Sequence, residues 1–122
     1  MPQTSRPITL VCGTRSLGWV DLDRYLSVKA VGEVVGGSSG GVDACAEAWA
    51  KRHGVEWVCY LPQNRVYGAK YAPQKLDEEM VAFCDQIAYF WDGKPDERLE
   101  RIKSLAVSWK VPMHIHIIED LD

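Results

Sequence analysis

The sequence predicts an α/β protein with a doubly wound, mainly parallel sheet of about five strands. Short runs of apolar, often β-branched residues alternate with longer segments in which apolar residues recur every three or four positions. The short runs are apolar throughout, as expected of parallel strands that helices cover on both faces. Glycines and charged residues cluster directly after these runs, where folds of this class place their ligand crevice.

Length and composition limit the organisation of the chain. Its 122 residues suit one domain with one core, so we predict a single domain over residues 1–122. A net charge of −3 gives no basic surface for general nucleic-acid binding. No apolar run approaches the ~18 residues of a membrane span, and residues 1–7 lack a signal-peptide core. We expect a cytoplasmic protein without a membrane partner.

The first half of the chain contains two strand–helix units. The first strand covers residues 8–12 and leads to a helix from Asp21, with one apolar face formed by Leu22, Tyr25 and Leu26. The second strand covers residues 30–35, and a helix over residues 44–53 follows, with Gly54 as its C-cap. The predicted buried stripe of this helix consists of Val42, Cys45, Ala46 and Trp49.

The second half repeats the alternation. Strand three covers residues 56–61, and a polar connection over residues 63–70 leads to a helix with apolar Leu76, Met80, Val81 and Cys84. Strand four covers residues 87–91, and the last helix has a clear apolar period: Leu99, Ile102, Leu105, Ala106 and Trp109. A final strand covers residues 111–118. With right-handed crossovers, this order predicts a three-layer, Rossmann-like architecture.

A glycine-rich loop joins the second strand to the second helix. It contains four glycines and two serines, namely Gly36, Gly37, Ser38, Ser39, Gly40 and Gly41. Glycines permit left-handed backbone and close ligand approach, and a helix N-terminus attracts anions. The loop is therefore predicted to bind phosphate; a flexible loop without a ligand is the alternative.

The residues after this loop exclude two kinds of nucleotide site. Gly41 is followed by Val42 and Asp43, whereas the P-loop of nucleoside triphosphatases requires Lys and then Ser or Thr. The dinucleotide pattern G-x-G-x-x-G is also not met. ATP hydrolysis is therefore disfavoured.

Two carboxylates near this loop are candidates for catalysis if the protein is an enzyme. Asp43 is interpreted as a helix cap or dipole partner; alternatively, it accepts hydrogen bonds from a ribose or acts as a carboxylate in catalysis. Glu47 lies one helical turn later on the same face, so it either shares a cleft with Asp43 or is solvated.

Other candidate ligand-binding residues follow the remaining strands. Gly13, Thr14 and Arg15 follow strand one, and Arg15 is either a phosphate ligand or an ordinary surface residue. Strands three and four add further candidates, of which the tyrosine and the tryptophan could stack on a base: Asn64, Arg65, Tyr67, Trp91, Asp92 and Gly93. Trp91 is alternatively a core residue.

Cysteine and histidine patterns do not indicate a metal centre. Cys12, Cys45, Cys59 and Cys84 form no C-x-x-C pair, so we predict free structural thiols. The histidines at positions 114 and 116 share one face of the final strand, but no third ligand has suitable spacing. We predict no metal site and no required cofactor.

These motifs resemble the SLOG superfamily of Rossmann-like domains, in particular its YspA/YpsA-related branch. The matching features are the Gly13-Thr14-Arg15 turn, the G-G-x-x-G-x-D pattern that ends at Asp43, and Trp91-Asp92-Gly93 after strand four. The similarity extends over residues 8–118. It implies a pocket for a nucleotide or nucleotide-derived ligand, with phosphate held by the two early loops.

Relatives implied by this resemblance differ in function. They include LOG-type phosphoribohydrolases, the DNA-processing protein of bacterial transformation and sensor modules of conflict systems. The chain has Leu76-Asp77 where members often have Arg-Asn, and residues 94–97 replace a Gly-Thr pair that opens a second phosphate-binding helix. It also lacks the P-G-G-x-G-T-x-x-E motif of the LOG-type enzymes, so their reaction does not carry over.

Three functional hypotheses follow. The first is a sensor-like module that binds a nucleotide or an ADP-ribose-like molecule. The second is a hydrolase of an N-glycosidic or phosphate bond that uses Asp43 or Glu47. The third is a non-catalytic accessory or oligomerisation domain. Five tryptophans in a small chain also suggest a homodimer or higher homo-oligomer, with Trp19 or Trp109 at the interface.

Overall fold

A computed structural model describes residues 7–14, 16–38 and 40–118, apart from the side chain of Asn64, and confirms the predicted α/β class. The elements alternate along the chain. Five strands are present: β1 (Ile8–Gly13), β2 (Glu33–Gly36), β3 (Glu56–Cys59), β4 (Gln86–Trp91) and β5 (Met113–Ile117). Three α-helices accompany them: α1 (Val42–Arg52), α2 (Asn64–Phe83) and α3 (Glu97–Trp109).

All strand pairs are parallel, and the sheet order is β3-β2-β1-β4-β5. Leu10 of the central strand β1 pairs with Val35 on one side and Ile87 on the other. The chain moves outward from β1 in one direction and, after crossing over, from β4 in the other. The boundary between β1 and β4 is therefore the switch point at which such sheets open a crevice.

The core consists of two apolar layers, one on each face of the sheet. Residues of α2 and α3 pack on Leu10, Cys12 and Tyr89, whereas residues of α1 pack on Val11 and Phe90. Alternate residues of β1 thus contact opposite layers, as the period of a strand requires. The buried face predicted for α3 is confirmed at Leu99, Ile102 and Ala106, but Trp109 is 56% exposed.

The helix predicted from Asp21 is wrong, because this segment contains only a 3-10 helix over Leu22–Arg24. The Asp21 side chain accepts from the backbone N–H of Asp23, and the Ser27 hydroxyl accepts from that of Lys29. Such local side-chain bonds compete with the helical hydrogen-bond pattern. Strong apolar spacing was therefore insufficient to give an α-helix here.

The polar connection predicted over residues 63–70 is also wrong, because α2 begins at Asn64. The backbone leaves helical geometry at Gly68 (φ 80°, ψ 155°), so a first helical turn is separated from the main helix by a kink. Pro73 lies within the second segment and cannot donate a backbone hydrogen bond there. Because Gly68 and Pro73 both disfavour a helix, the sequence predicts a connection where this helical turn lies.

Several strand boundaries also differ from prediction. β2 begins at Glu33 rather than residue 30, since residues 28–30 form a turn. β3 ends at Cys59, and β5 is limited to Met113–Ile117. Within the described ranges, none of the helices has both the length and the apolar character needed to cross a bilayer.

All four cysteines carry free thiols, as predicted. Cys12 is fully buried and Cys84 is 6% exposed. Burial raises the pKa of Cys12 to about 12 and that of Cys84 to about 11, so both thiols are protonated at neutral pH. These two cysteines act as small apolar core residues.

Candidate functional site

A cleft of about 580 Å³ opens at the carboxyl ends of β1 and β4, at the switch point of the sheet. Residues of the glycine-rich loop and the start of α1 form one wall, and residues of α2 and α3 form the other. Gly13 and Thr14 lie at its floor, at the end of β1. The volume falls in the range of small-molecule sites, about 300–1,000 Å³.

Gly40 and Gly41 shape the loop wall through left-handed backbone. Their φ angles are 82° and 54°, and Gly41 is the N-cap of α1 without a side-chain capping bond. A Cβ on Gly40 would meet nothing within 4 Å. Gly40 therefore gives a ligand open access to the backbone at the start of α1.

Three of the predicted ligand-binding glycines are required by packing. A Cβ on Gly13 would lie 2.6 Å from the Phe90 carbonyl oxygen, and one on Gly41 would lie 2.6 Å from that of Leu17. At Gly36 a Cβ would lie 2.8 Å from the Trp57 ring, and this glycine does not line the cleft. Their role in the fold is thus sufficient to explain the glycine at each position.

Asp43 lies in the first turn of α1 and is only 4% exposed. Because Gly41 is the N-cap, Asp43 is a partner of the helix dipole rather than a cap. Its Oδ2 atom lies 3.1 Å from the position of a Cβ on Gly37, so the carboxylate sits beneath the loop. It also lines the cleft.

Glu47 does not share this cleft with Asp43. Its carboxylate lies 2.8 Å from Lys51 Nζ, and its side chain is 43% exposed. The structure thus brings one of the two candidate catalytic carboxylates to the cleft and leaves the other in a surface ion pair.

The N-terminus of α3 is occupied by the carboxylate of its N-cap, Asp96. Oδ1 accepts from the backbone N–H groups of Arg98 and Leu99, at 3.1 and 3.3 Å. Oδ2 accepts from the hydroxyls of Tyr89 and Thr14, at 2.6 and 3.0 Å. Burial and the bond to Asp96 raise the pKa of Tyr89, so its hydroxyl remains a donor.

A buried ion cluster completes the α2–α3 wall. Asp77 of α2 is 2% exposed, and its Oδ1 atom accepts from Arg98 Nη2 at 3.0 Å. Its Oδ2 atom accepts from Arg101 Nη2 at 2.6 Å and from Nε at 3.1 Å. The sequence analysis missed both arginines, although their i, i+3 spacing after a predicted helix start already placed them on one face.

The turn after β4 lies outside the cleft. Trp91 is half-buried, packs against the core and donates from Nε1 to the Lys94 carbonyl oxygen at 2.6 Å. Asp92 accepts from the backbone N–H of Lys94 and from the Ser16 hydroxyl; both bonds lower its pKa. Gly93 has a φ of 86°. The contacts of these three predicted ligand-binding residues thus stabilise the turn and do not reach the cleft.

The remaining predicted site residues are distributed as follows. Ser38 and Gly37 line the cleft, whereas Arg65 and Tyr67 are exposed on the first segment of α2 and do not. Arg15, Ser39 and the side chain of Asn64 lie outside the described parts of the chain.

The histidines of β5 lie on the edge strand of the sheet. His116 stacks on Phe90, with ring centroids 5.1 Å apart, and also contacts Tyr25. Burial and the neighbouring His114 lower its pKa. Among the residues that the structure describes, no cluster of three or more His, Cys, Asp or Glu side chains is arranged to hold a metal ion.

Comparisons with protein-family models, with curated proteins and with solved structures return no match for this chain. The SLOG resemblance therefore stays a prediction from the sequence motifs, and functional inference depends on the geometry of the cleft.

Proposed function

We propose that this protein binds a nucleotide or a nucleotide-derived molecule, in the manner of a sensor, in the cleft between the glycine-rich loop and α3. The observation that carries the proposal is that Gly40, with its open backbone, and the guanidinium groups of α3 line the same cleft at the switch point of the sheet. Doubly wound sheets place nucleotide ligands at this point.

The chemistry of the lining supports a ligand that is polar at several positions. Backbone groups at Gly37 and Gly40, the Ser38 hydroxyl and the buried Asp43 carboxylate stand on the loop side, while Arg98 and Arg101 stand opposite. A nucleotide presents an anionic phosphate together with hydroxyl donors, so it matches both walls. Pro62, Leu76 and Pro95 add apolar surface for a base or a sugar face.

A nucleotide hydrolase is the second candidate function, because Asp43 lines the cleft. Hydrolysis of an N-glycosidic bond requires a carboxylate near the sugar and an anchor that orients the phosphate. Asp43 supplies the carboxylate and the arginines supply the anchor. Glu47, however, lies outside the cleft in its ion pair with Lys51. This geometry favours binding without turnover.

We further propose that the chain forms a homodimer or higher homo-oligomer in the cytoplasm. Large apolar side chains are exposed on α3 and the neighbouring edge strand: Val107, Trp109, Ile115 and Ile117. Trp19 is 76% exposed elsewhere on the surface. Four free thiols suit a reducing compartment. Light scattering tests the first part of this proposal, and a monomer at all concentrations would contradict it.

Native mass spectrometry of freshly purified protein, followed by a thermal-shift screen, tests ligand binding. The screen contains AMP, ADP-ribose, NAD, cyclic nucleotides and inorganic phosphate. We expect a bound mass or a rise in Tm with at least one nucleotide. Absence of both with every compound would contradict the proposed function.

A matched pair of glycine variants locates the site. Gly40→Asp places a carboxylate in the cleft at a position with φ of 82°. Gly54→Asp makes the same change at a φ of 67°, in equally open space, beyond the opposite end of α1. We expect the Tm shift to disappear in the first variant and to persist in the second. Equal behaviour of the two variants would place the ligand elsewhere.

A further inference from the structure

The charges of the two walls indicate how a nucleotide is oriented in the cleft. We propose that its phosphate binds to Arg98 and Arg101 on α3, and that its ribose hydroxyls face Asp43 beneath the glycine-rich loop. This inference rests on the proposed function and goes beyond it. The sequence of the glycine-rich loop predicts the opposite orientation, with the phosphate bound to the glycines.

The loop side is unfavourable for a phosphate because a carboxylate already lies there. Asp43 approaches the loop so closely that its Oδ2 atom would lie 3.1 Å from a Cβ on Gly37. Its negative charge faces the positive end of the α1 dipole, which is the group that would otherwise attract a phosphate. Like charges at such a short range repel strongly in a partly desolvated cleft. Hydroxyl donors, in contrast, find an acceptor there.

The N-terminus of α3 cannot replace the loop as a phosphate site. Asp96 accepts from the backbone N–H groups of Arg98 and Leu99 and from the hydroxyls of Tyr89 and Thr14. Its carboxylate thus occupies the position in which an anion would bind to free helix N–H groups. We therefore expect a phosphate near α3 to bind to side chains.

Arg98 and Arg101 are the basic side chains among the described residues that line the cleft. Both pair with the single carboxylate of Asp77, so the three groups together retain one positive charge. Asp77 is buried and fixes both guanidiniums, which lowers the entropic cost of forming further bonds. Their side chains remain 27% and 32% exposed. A phosphate on this side gains a fixed pair of charged donors.

This arrangement also limits the charge of the ligand. Four carboxylates line the described part of the cleft, at Asp43, Asp77, Asp96 and Glu97, against the two arginines. Each further phosphate of a polyphosphate chain would increase repulsion from these carboxylates. The structure therefore favours a nucleoside monophosphate or another ligand with one phosphate over a triphosphate.

Binding measurements with matched ligands test the orientation. The four ribonucleoside 5′-monophosphates and their nucleosides are titrated by calorimetry, and the pair that binds most tightly is kept. The main variant is Asp77→Asn with Arg101→Gln, which removes one guanidinium without changing the net charge or leaving Asp77 half-paired. If the double variant does not fold, Arg101→Lys is measured in its place. Arg65→Gln removes an exposed arginine outside the cleft and is the control.

We expect the Arg101 variants to weaken the monophosphate by about tenfold and the nucleoside by less than about twofold. Asp43→Asn should weaken both ligands by a similar factor, because it removes an acceptor that both use. Arg65→Gln should change neither affinity.

Three results would overturn the orientation or the limit on ligand charge while leaving the proposed function intact. The first is an unchanged monophosphate affinity in the Arg101 variants. The second is selective strengthening of the monophosphate by Asp43→Asn, which would place the phosphate on the loop. The third is tighter binding of ATP than of AMP in the absence of divalent cations. If no nucleotide or nucleoside binds the wild-type protein, the proposed function itself fails.

Discussion

The Tyr89 hydroxyl donates a hydrogen bond of 2.6 Å to Asp96 Oδ2 and so connects strand β4 to the N-cap of α3. Tyr89 is completely buried beneath the cleft, and Asp96 lies at its rim. The contact therefore fixes the start of the helix that carries both cleft arginines.

Removal of this hydroxyl should destabilise the fold. In Tyr89→Phe, Asp96 loses one of four donors, and a hydrogen bond to a charged group contributes about 1.5–3 kcal/mol. We expect a decrease of that size in the free energy of unfolding, measured with urea. Tyr71→Phe, on an exposed tyrosine, is the control and should leave stability unchanged. Equal stability of the Tyr89 variant and wild type would show that the bond contributes nothing.

The same tyrosine makes the free energy of unfolding depend on pH in the alkaline range. Burial, followed by the hydrogen bond to Asp96, raises the pKa of Tyr89 above the ordinary value of 10.0. Its contribution is therefore complete below pH 10 and is lost as pH rises above 10, because the unfolded state releases the proton first. We expect a smaller alkaline loss of stability in Tyr89→Phe than in wild type. Parallel curves for the two proteins above pH 10 would contradict this assignment.

A second pH-dependent contact lies at the far end of α1. Asp23 accepts hydrogen bonds from Trp49 Nε1, Arg52 Nη2 and His53 Nε2, at 2.9, 2.8 and 2.7 Å. The bond from His53 is the main cause that lowers the pKa of Asp23, and Arg52 adds to the effect. A lowered carboxyl pKa stabilises the fold above the unfolded value of 3.8 and ceases to do so as pH falls below it.

We expect Asp23→Asn to unfold at a lower temperature than wild type at pH 6. The difference in Tm should decrease when the measurement is repeated near pH 3, below the unfolded value of 3.8, where the stabilisation from the lowered pKa begins to be lost. A difference that stays constant between these two pH values would show that the charge of Asp23 is irrelevant.

Alanine substitutions at two adjacent glycines should separate backbone strain from steric overlap. At Gly40 a Cβ meets open space, so Gly40→Ala carries only the cost of left-handed backbone, about 1–2 kcal/mol. At Gly41 the Cβ would also lie 2.6 Å from the Leu17 carbonyl oxygen. We expect Gly41→Ala to lose clearly more unfolding free energy than Gly40→Ala in chemical denaturation. The reverse order would be inconsistent with the close approach of the Leu17 segment.

The cysteines should differ in reactivity according to burial. Cys12 is fully buried with a pKa of about 12, whereas Cys59 is exposed on the edge strand β3. Brief treatment of the native protein with iodoacetamide at pH 8 should modify Cys59 and leave Cys12 unmodified, as read by peptide mass spectrometry. After denaturation both thiols should react. Rapid native modification of Cys12 would mean that β1 becomes exposed on the timescale of the reaction.

Local patterns were sufficient to predict most of the architecture. Apolar runs such as residues 8–12 and the period of Leu99, Ile102 and Ala106 each reflect burial on one element, which a sequence displays directly. The Asp21 segment is one exception, since its short polar side chains bond to their own backbone and replace a helix by a 3-10 turn.

The candidate site was only partly predictable. The glycine-rich loop was recognised because strand, glycine turn and helix are contiguous in the chain. Asp77 was noted only as a departure from a family pattern, since it meets Arg98 and Arg101 from positions 21 and 24 residues away.

The sequence by itself determined the fold class, the alternation of elements and the cluster of unusual residues at one edge of the sheet. These properties depend on neighbours along the chain and on the periods of helix and strand. Only the tertiary structure decided that Gly41 is required by the Leu17 carbonyl, that Thr14 donates to Asp96 and that Asp77 positions two arginines. Each of these contacts joins segments that are distant in sequence, and their distances are set by the packing of α1, α2 and α3 on a shared sheet.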